Sequence, residues 1–298
     1  MRTLIATALL LSLATLAGCS CETRRFEHDG RMRSYVLHPP QGDHGDGALP
    51  LVIAMHGRGG TGAGTARSTQ FDELADAHGF VVAFPDGVER SWADGREYSP
   101  ADQDGVDDVG FIDALIDHVD EEITIDPSRV YAAGISNGAS MAQRLACELT
   151  PRLAAVASMI NNMPELIAED CHPDSPISVL LMNGTEDPLV PYEGGEVSPA
   201  NGFILSTNAT ISHWTTHNGC PGLTDSGTID EQDDETSIEW ELYQGCEGGS
   251  AVALYKVEGG GHTWPGGPQY LSVDLIGRVS EELEAEQVIW DFFEPLRR

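Results

Sequence analysis

The stretch YAAGISNGAS, residues 131–140, contains Gly134-Ile135-Ser136-Asn137-Gly138, the spacing G-x-S-x-G. The chain carries 33 glycines, so these five letters alone are a weak signal and their setting has to decide. Upstream, SRVYAAGIS (128–136) is a short apolar run that predicts a buried strand. Downstream, NGASMAQRLACEL (137–149) predicts a helix. A serine between such a strand and helix has the setting of a nucleophile elbow. Small residues on both sides permit the sharp turn, and the helix N-terminus favours negative charge developing beside it. An ordinary serine N-cap would occupy the same place.

Working outward, LPLVIAMHG (49–57), FVVAFPDG (80–87), AAVASMI (154–160) and ISVLLMNGT (177–185) predict further buried strands. SIEWELYQ (237–244) and AVALYKVEG (251–259) complete the strand set. Helical patterns lie between them. TARSTQFDELADAHG (65–79) stops at Gly79, and DDVGFIDALIDHVDEEI (107–123) repeats apolar residues on one face. GFILSTNATISHWTTHNG (202–219) and SEELEAEQVIWDFFEPL (280–296) are two more. Strands alternating with helices predict an α/β class fold, a mostly parallel sheet with helices on both faces.

A serine hydroxyl is a poor nucleophile without a base to take its proton and an acid to orient the base. In sheets of this kind the chain order is serine, acid, histidine. Of the ten histidines, His172, His213, His217 and His262 follow Ser136. His172 comes too early, and His213 and His217 fall at i, i+4 on a predicted helix without a third metal ligand. His262 lies in EGGGHTWPGG, a glycine-rich bend after a strand, and is the expected base. The acid should follow a strand between the two. Asp187, before Pro188, is the expected residue, with Glu186 as its neighbouring alternative and turn capping as the other use of either.

An oxyanion hole needs two backbone N–H groups. Asn137, after the serine, supplies one. The glycine-rich loop AMHGRGGTGAG (54–64) supplies the other, at Arg58. A phosphate loop is the rival reading of that segment, but the G-K-[ST] ending is absent. ADQDGVDD (101–108) lacks the carboxylate spacing of a calcium loop, so Asp107 and Asp108 are read as helix caps and no metal is expected. No cofactor is implied either. Trp92 and Trp264 flank motif loops and are candidates for substrate binding, with core packing the equal alternative.

Residues 1–18 read as a signal peptide, with Arg2 as the positive n-region and Leu4 to Ala17 as an apolar run too short to span a bilayer. The run ends in Leu16-Ala17-Gly18-Cys19, which resembles the processing box of bacterial lipoproteins. Lipidation of Cys19 would make the chain an exported protein held at a membrane. Residues 19–30 are expected to form the lipidated cysteine and a short tether, and 31–298 a single catalytic domain. With Arg2 set aside, 15 basic residues face 48 acidic ones, and Lys256 is the one lysine. Such a surface repels nucleic acid and suits salty water, where screening blunts self-repulsion. Of the six cysteines, five remain after Cys19. The simplest pairing joins sequence neighbours, Cys147–Cys171 and Cys220–Cys246, and leaves Cys21 over, but sequence does not fix connectivity. Their spacing suits no zinc site.

Six blocks, HGRGGTG, FPDGVERSW, VDDVGFIDALID, DPSRVYAAGISNGASMAQRLACEL, NGTEDPLVPY and GGGHTWPGG, resemble the secreted polyhydroxybutyrate depolymerase-like and feruloyl esterase-type hydrolases. The resemblance runs from about residue 31 to 295. It implies an α/β-hydrolase fold and hydrolysis of carboxylic esters by Ser136, Asp187 and His262. It also implies the pairs Cys147–Cys171 and Cys220–Cys246. One departure is Arg58, where relatives often carry cysteine. Only its backbone serves the oxyanion, but the pocket rim becomes charged. The expected substrates are polyhydroxyalkanoate-type, feruloyl or related short-chain esters. A serine peptidase on the same fold, or a non-catalytic surface lipoprotein binding a ligand in the inherited pocket, are the competing readings. Oligomeric state is not legible.

Overall fold

The computed structural model describes residues 22–45, 47–198 and 202–298. The expected signal peptide, the lipidated Cys19 and Cys21 lie outside the described residues. Strands β1 (Glu22–His28), β2 (Arg31–His38), β3 (Leu49–Met55), β4 (Val81–Pro85), β5 (Ile125–Ile135), β6 (Ala155–Met159) and β7 (Ser178–Gly184) come first. A separate ribbon, β8 (Gly195–Glu196) with β9 (Phe203–Ile204), precedes β10 (Asp225–Ile229), β11 (Ser237–Tyr243) and β12 (Val252–Glu258). The large sheet has the order β1-β2-β4-β3-β5-β6-β7-β12-β11-β10. Its centre, β4 to β12, is parallel, and its two edges are antiparallel.

Helices α1 (Gly62–Ser68), α2 (Phe71–His78), α3 (Pro100–Gln103), α4 (Asp108–Asp120), α5 (Asn137–Glu148), α6 (Glu165–Asp170), α7 (Thr207–His217), α8 (Val273–Ile276) and α9 (Ala285–Phe293) connect or cover the strands. Successive strand residues point to opposite faces, and both faces of the central strands are buried. Leu51, Ile53 and Met55 join one apolar cluster with Leu115 of α4, Leu145 of α5 and Trp214 of α7. Val52 and Ala54 join the other, with Phe71 and Ala75 of α2 and Ile289, Trp290 and Phe293 of α9. That is why the central strands read as continuous apolar runs. Burying each large side chain contributes about 1.5–3 kcal/mol.

Three expectations need correction. Residues 22–30 are not a tether, because β1 pairs with β2 through Asp29-Gly30, both at positive φ. Asp-Gly is a two-residue hairpin signal, masked here by the charged residues around it. The helix expected over 65–79 is two helices, broken at Gln70 in the left-handed region. Thr61 caps α1 by accepting from Gly64 N. The helix expected from 202 starts at Thr207, where the Ser206 side chain accepts from Ala209 N, and Phe203–Ile204 pairs with β8 instead.

Two disulfides join Cys147 to Cys171 and Cys220 to Cys246. The first ties the C-terminal end of α5 to the residue after α6, and the second ties the end of α7 to the turn after β11. Among the described residues no helix is long and apolar enough to cross a membrane.

Candidate active site

Ser136 follows β5 directly and occupies φ 56°, ψ −117°, a strained conformation for a residue with a side chain. The turn closes because its flanks are glycines. A Cβ on Gly134 would run into the Gly138 carbonyl, and one on Gly138 would lie 2.6 Å from the carbonyl oxygens of both Met55 and His56. Ser136 stands at the N-cap position of α5, yet its side chain caps nothing. Its Oγ lies 3.0 Å from His262 Nε2. The backbone is pinned on both sides: Ser136 N donates to Met159 O, and Asn161 Nδ2 donates to Ser136 O, each at 2.9 Å.

His262 follows β12 in the glycine-rich bend, with its Nδ1 2.7 Å from Asp187 Oδ2. Asp187 follows β7, and its Oδ1 accepts from Leu189 N and Val190 N at 2.8 Å each. An ionised Asp187 accepts only, so Nδ1 carries the histidine proton and Nε2 is left to accept from Ser136. Both side chains are nearly closed to solvent, at 7% for His262 and 2% for Asp187. Glu186, the neighbouring alternative, is exposed. Tyr270 OH donates to the His262 carbonyl at 2.9 Å and braces the bend.

A cavity of about 770 Å³ opens over Ser136, and Arg58, Asn137 and His262 share its wall. The loop after β3 approaches the serine so closely that a Cβ on Gly57 would sit 3.3 Å from Ser136 Cβ. His56 shapes this loop. Its Nδ1 donates to Gly57 O at 2.8 Å and its Nε2 accepts from Gly87 N at 2.9 Å. Burial pushes its pKa below the ordinary value, which keeps the ring in the neutral form that can both donate and accept. Gly59 N donates to Arg90 O and Gly60 N to Gly57 O, which completes the loop.

Trp92 and Trp264 are both buried, and neither is among the described residues that line the cavity, which favours the core-packing alternative. Trp92 is fully buried; its Nε1 donates to His56 O and its backbone N to Asn137 Oδ1. It therefore joins the loop to the residue after the serine. Trp264 is buried too, donates to Glu286 Oε2 and meets Phe71 edge-on. Of the two expected caps, Asp107 accepts from Gly110 N at the start of α4. Asp108 instead is buried against Arg33 and Ala93 N, with burial raising its pKa and Arg33 opposing. His213 is held below its usual pKa by burial, and among the described residues no cluster of three potential metal ligands occurs.

Sequence reasoning passed over His56, Asn161, Asp94 and Arg96. His56 opens the block HGRGGTG and Asp94 lies two residues past FPDGVERSW, but only the fold shows what they hold. Asp94 accepts from Asn137 Nδ2 and from Arg96, and so buttresses the same residue as Trp92.

The family pattern described as Esterase PHB depolymerase matches residues 33–180. A Nocardia uniformis subsp. tsuyamanensis protein named "Putative esterase NocK" is 32% identical over 274 residues, covering 88% of this chain and 79% of its own length. Feruloyl esterase B of Piromyces equi is 30% identical over 77% of this chain, which spans 42% of that longer protein. Among solved structures, an acetyl xylan esterase from Aspergillus awamori superposes with TM-score 0.60 over 92% of this chain and 99% of its own, at 13% identity. A thermostable esterase superposes with TM-score 0.55 over 93% of this chain and 63% of its own, at 15% identity. The fold is that of the α/β-hydrolases, and the chain belongs to the Esterase PHB depolymerase family of esterases.

Proposed function

We propose that the chain is a serine carboxylic-ester hydrolase working through an acyl-enzyme, with Ser136 as nucleophile, His262 as general base and Asp187 as its orienting acid. The observation that carries this reading is the chain of contacts Ser136 Oγ–His262 Nε2 and His262 Nδ1–Asp187 Oδ2, at the carboxyl ends of three parallel strands. His262 takes the serine proton as Oγ attacks the ester carbonyl. Asp187 stabilises the imidazolium that results. The N–H groups of Arg58 and Asn137 receive the oxyanion, and their loop and helix are held rigid by His56, Trp92 and Asp94. The alcohol leaves with the proton from His262. Water then attacks the acyl-enzyme by the same route and releases the acid.

The substrates we propose are polyhydroxyalkanoate-type oligomers, feruloyl esters or related short-chain esters, on the names of the family and of the fungal relatives. Turnover of methyl ferulate, short nitrophenyl esters and hydroxybutyrate oligomers ranks them. Ser136→Ala should lower kcat by about 10⁶ with the fold intact; activity near wild type would overturn the assignment. Two disulfides fit an exported protein. We infer anchoring through a lipid on Cys19, so Cys19→Ser should move the protein from membrane to soluble fractions. Equal partitioning of both forms would contradict it.

A further inference from the structure

Ile160 stands beside the nucleophile in a backbone conformation that its own side chain disfavours. Its φ is 52°, and among the described residues it is the one β-branched residue at positive φ. A side chain branched at Cβ crowds the backbone there, so the conformation is strained and persists only where its surroundings impose it. Strand register places this strain at the site. Ile135 of β5 pairs with Met159 of β6, so Ser136 and Ile160 leave two neighbouring parallel strands side by side. Such strands lie about 4.8 Å apart.

The turn is held from both sides of Ile160 by the nucleophile itself. Met159 O accepts from Ser136 N, and Asn161 Nδ2 donates to Ser136 O, each at 2.9 Å. Ile160 N donates to Met182 O at 2.8 Å, and Ser158 Oγ donates to Asn161 O at 3.0 Å. Glycine would adopt this φ without strain, so the strain is the cost of placing an isoleucine side chain here. That side chain does not serve the core. Ile160 is 3% exposed, yet it joins none of the apolar clusters among the described residues, and it lines the cavity over Ser136.

The direction of attack says which part of the ester meets it. In the proposed mechanism the oxyanion faces the loop after β3, and the alcohol oxygen faces His262. The acyl group takes the remaining side of the tetrahedral carbon. β3 and β6 flank β5 on opposite sides, so Ile160 lies across Ser136 from the oxyanion loop. We propose that Ile160 is a specificity-determining residue, a wall that limits the bulk of the acyl group next to the scissile carbonyl. Acyl groups unbranched at the carbon beside the carbonyl are admitted, and those branched there are excluded. The inference rests on the proposed esterase reading and deepens it.

The test compares kcat/KM for nitrophenyl butyrate and nitrophenyl isobutyrate, which share a leaving group and differ in branching beside the carbonyl. The wild type should prefer the straight chain by about 10- to 200-fold, the range for one methyl group in an apolar pocket. Ile160→Ala should remove most of that preference, and comparison between variants cancels the intrinsic reactivity of the two esters. Where Ile160→Ala does not fold, Ile160→Val, one methylene smaller, decides by removing part of it. Ile160→Gly relieves the strain and should melt no lower than Ile160→Ala; the reverse order would contradict the strained placement. No preference in the wild type, or a preference unchanged in every folded variant, overturns the proposal. Hydrolysis of both esters with such a result leaves the esterase standing and removes the role of Ile160. No hydrolysis of either ester removes the esterase reading and this inference with it.

Discussion

Gly138 packs against the end of β3, with the Met55 and His56 carbonyls 2.6 Å from where a Cβ would stand. Gly138→Ala should therefore cost about 1–3 kcal/mol of stability by overpacking, read as a lower urea midpoint; an unchanged midpoint would contradict the close approach. His56 carries a second expectation. Burial lowers its folded pKa below the unfolded value of about 6.5. The unfolded chain therefore binds more protons in that window. Stability is fully present above about pH 6.5 and is lost as pH falls toward the folded pKa. His213 is shifted the same way and adds to the slope. His56→Gln, which can still donate and accept, should flatten the dependence of unfolding free energy on pH between about 5 and 7. A slope identical to wild type would remove His56 from the account. Ser136, Asp187 and His262 were legible because each follows an apolar strand in a short motif. His56 and Asp94 were not, because their partners, Gly87 and Asn137, lie 31 and 43 residues away.

At the scale of elements, the site depends on three parallel strands, β5, β7 and β12, ending at one edge, and on α5 starting there. The disulfides act on the periphery of that frame. Each closes a loop of 24 or 26 residues, worth about 3–4 kcal/mol by loop-closure entropy. Replacing both cysteines of either pair by alanine should lower the unfolding free energy by about that amount, and a thermal melt checks it. No change for either pair would place their role elsewhere. The central strands were legible as unbroken apolar runs, since both of their faces are covered. The edge strands β1, β2 and β10 were not. β1 is largely exposed and charged, with the pattern ETRRFEH, and β10 reads DSGTI, so neither carries an apolar run. Their pairing is set by the neighbouring strand and the turn.

At the scale of the whole molecule, charge dominates. The chain carries a formal net charge of −32, and its ion pairs are mostly at the surface, such as Arg152 with Asp113 and Asp117. Surface pairs contribute about 0–1 kcal/mol each, while the excess carboxylates repel one another across the surface. Raising salt from about 0.01 to 1 M shortens the screening length from about 30 to 3 Å. The melting temperature should rise over that range; a protein that melts highest in dilute buffer would contradict it. Composition showed this much without any structure, whereas the pairing of buried Arg96 with Asp94 emerged only from the fold. The central claim is that Ser136 is an activated nucleophile. The most direct measurement is to treat the purified protein with a fluorophosphonate probe and map the adduct by peptide mass spectrometry. The account predicts one adduct, on Ser136, lost in His262→Ala; no labelling, or labelling of another residue with Ser136 unmodified, would contradict it.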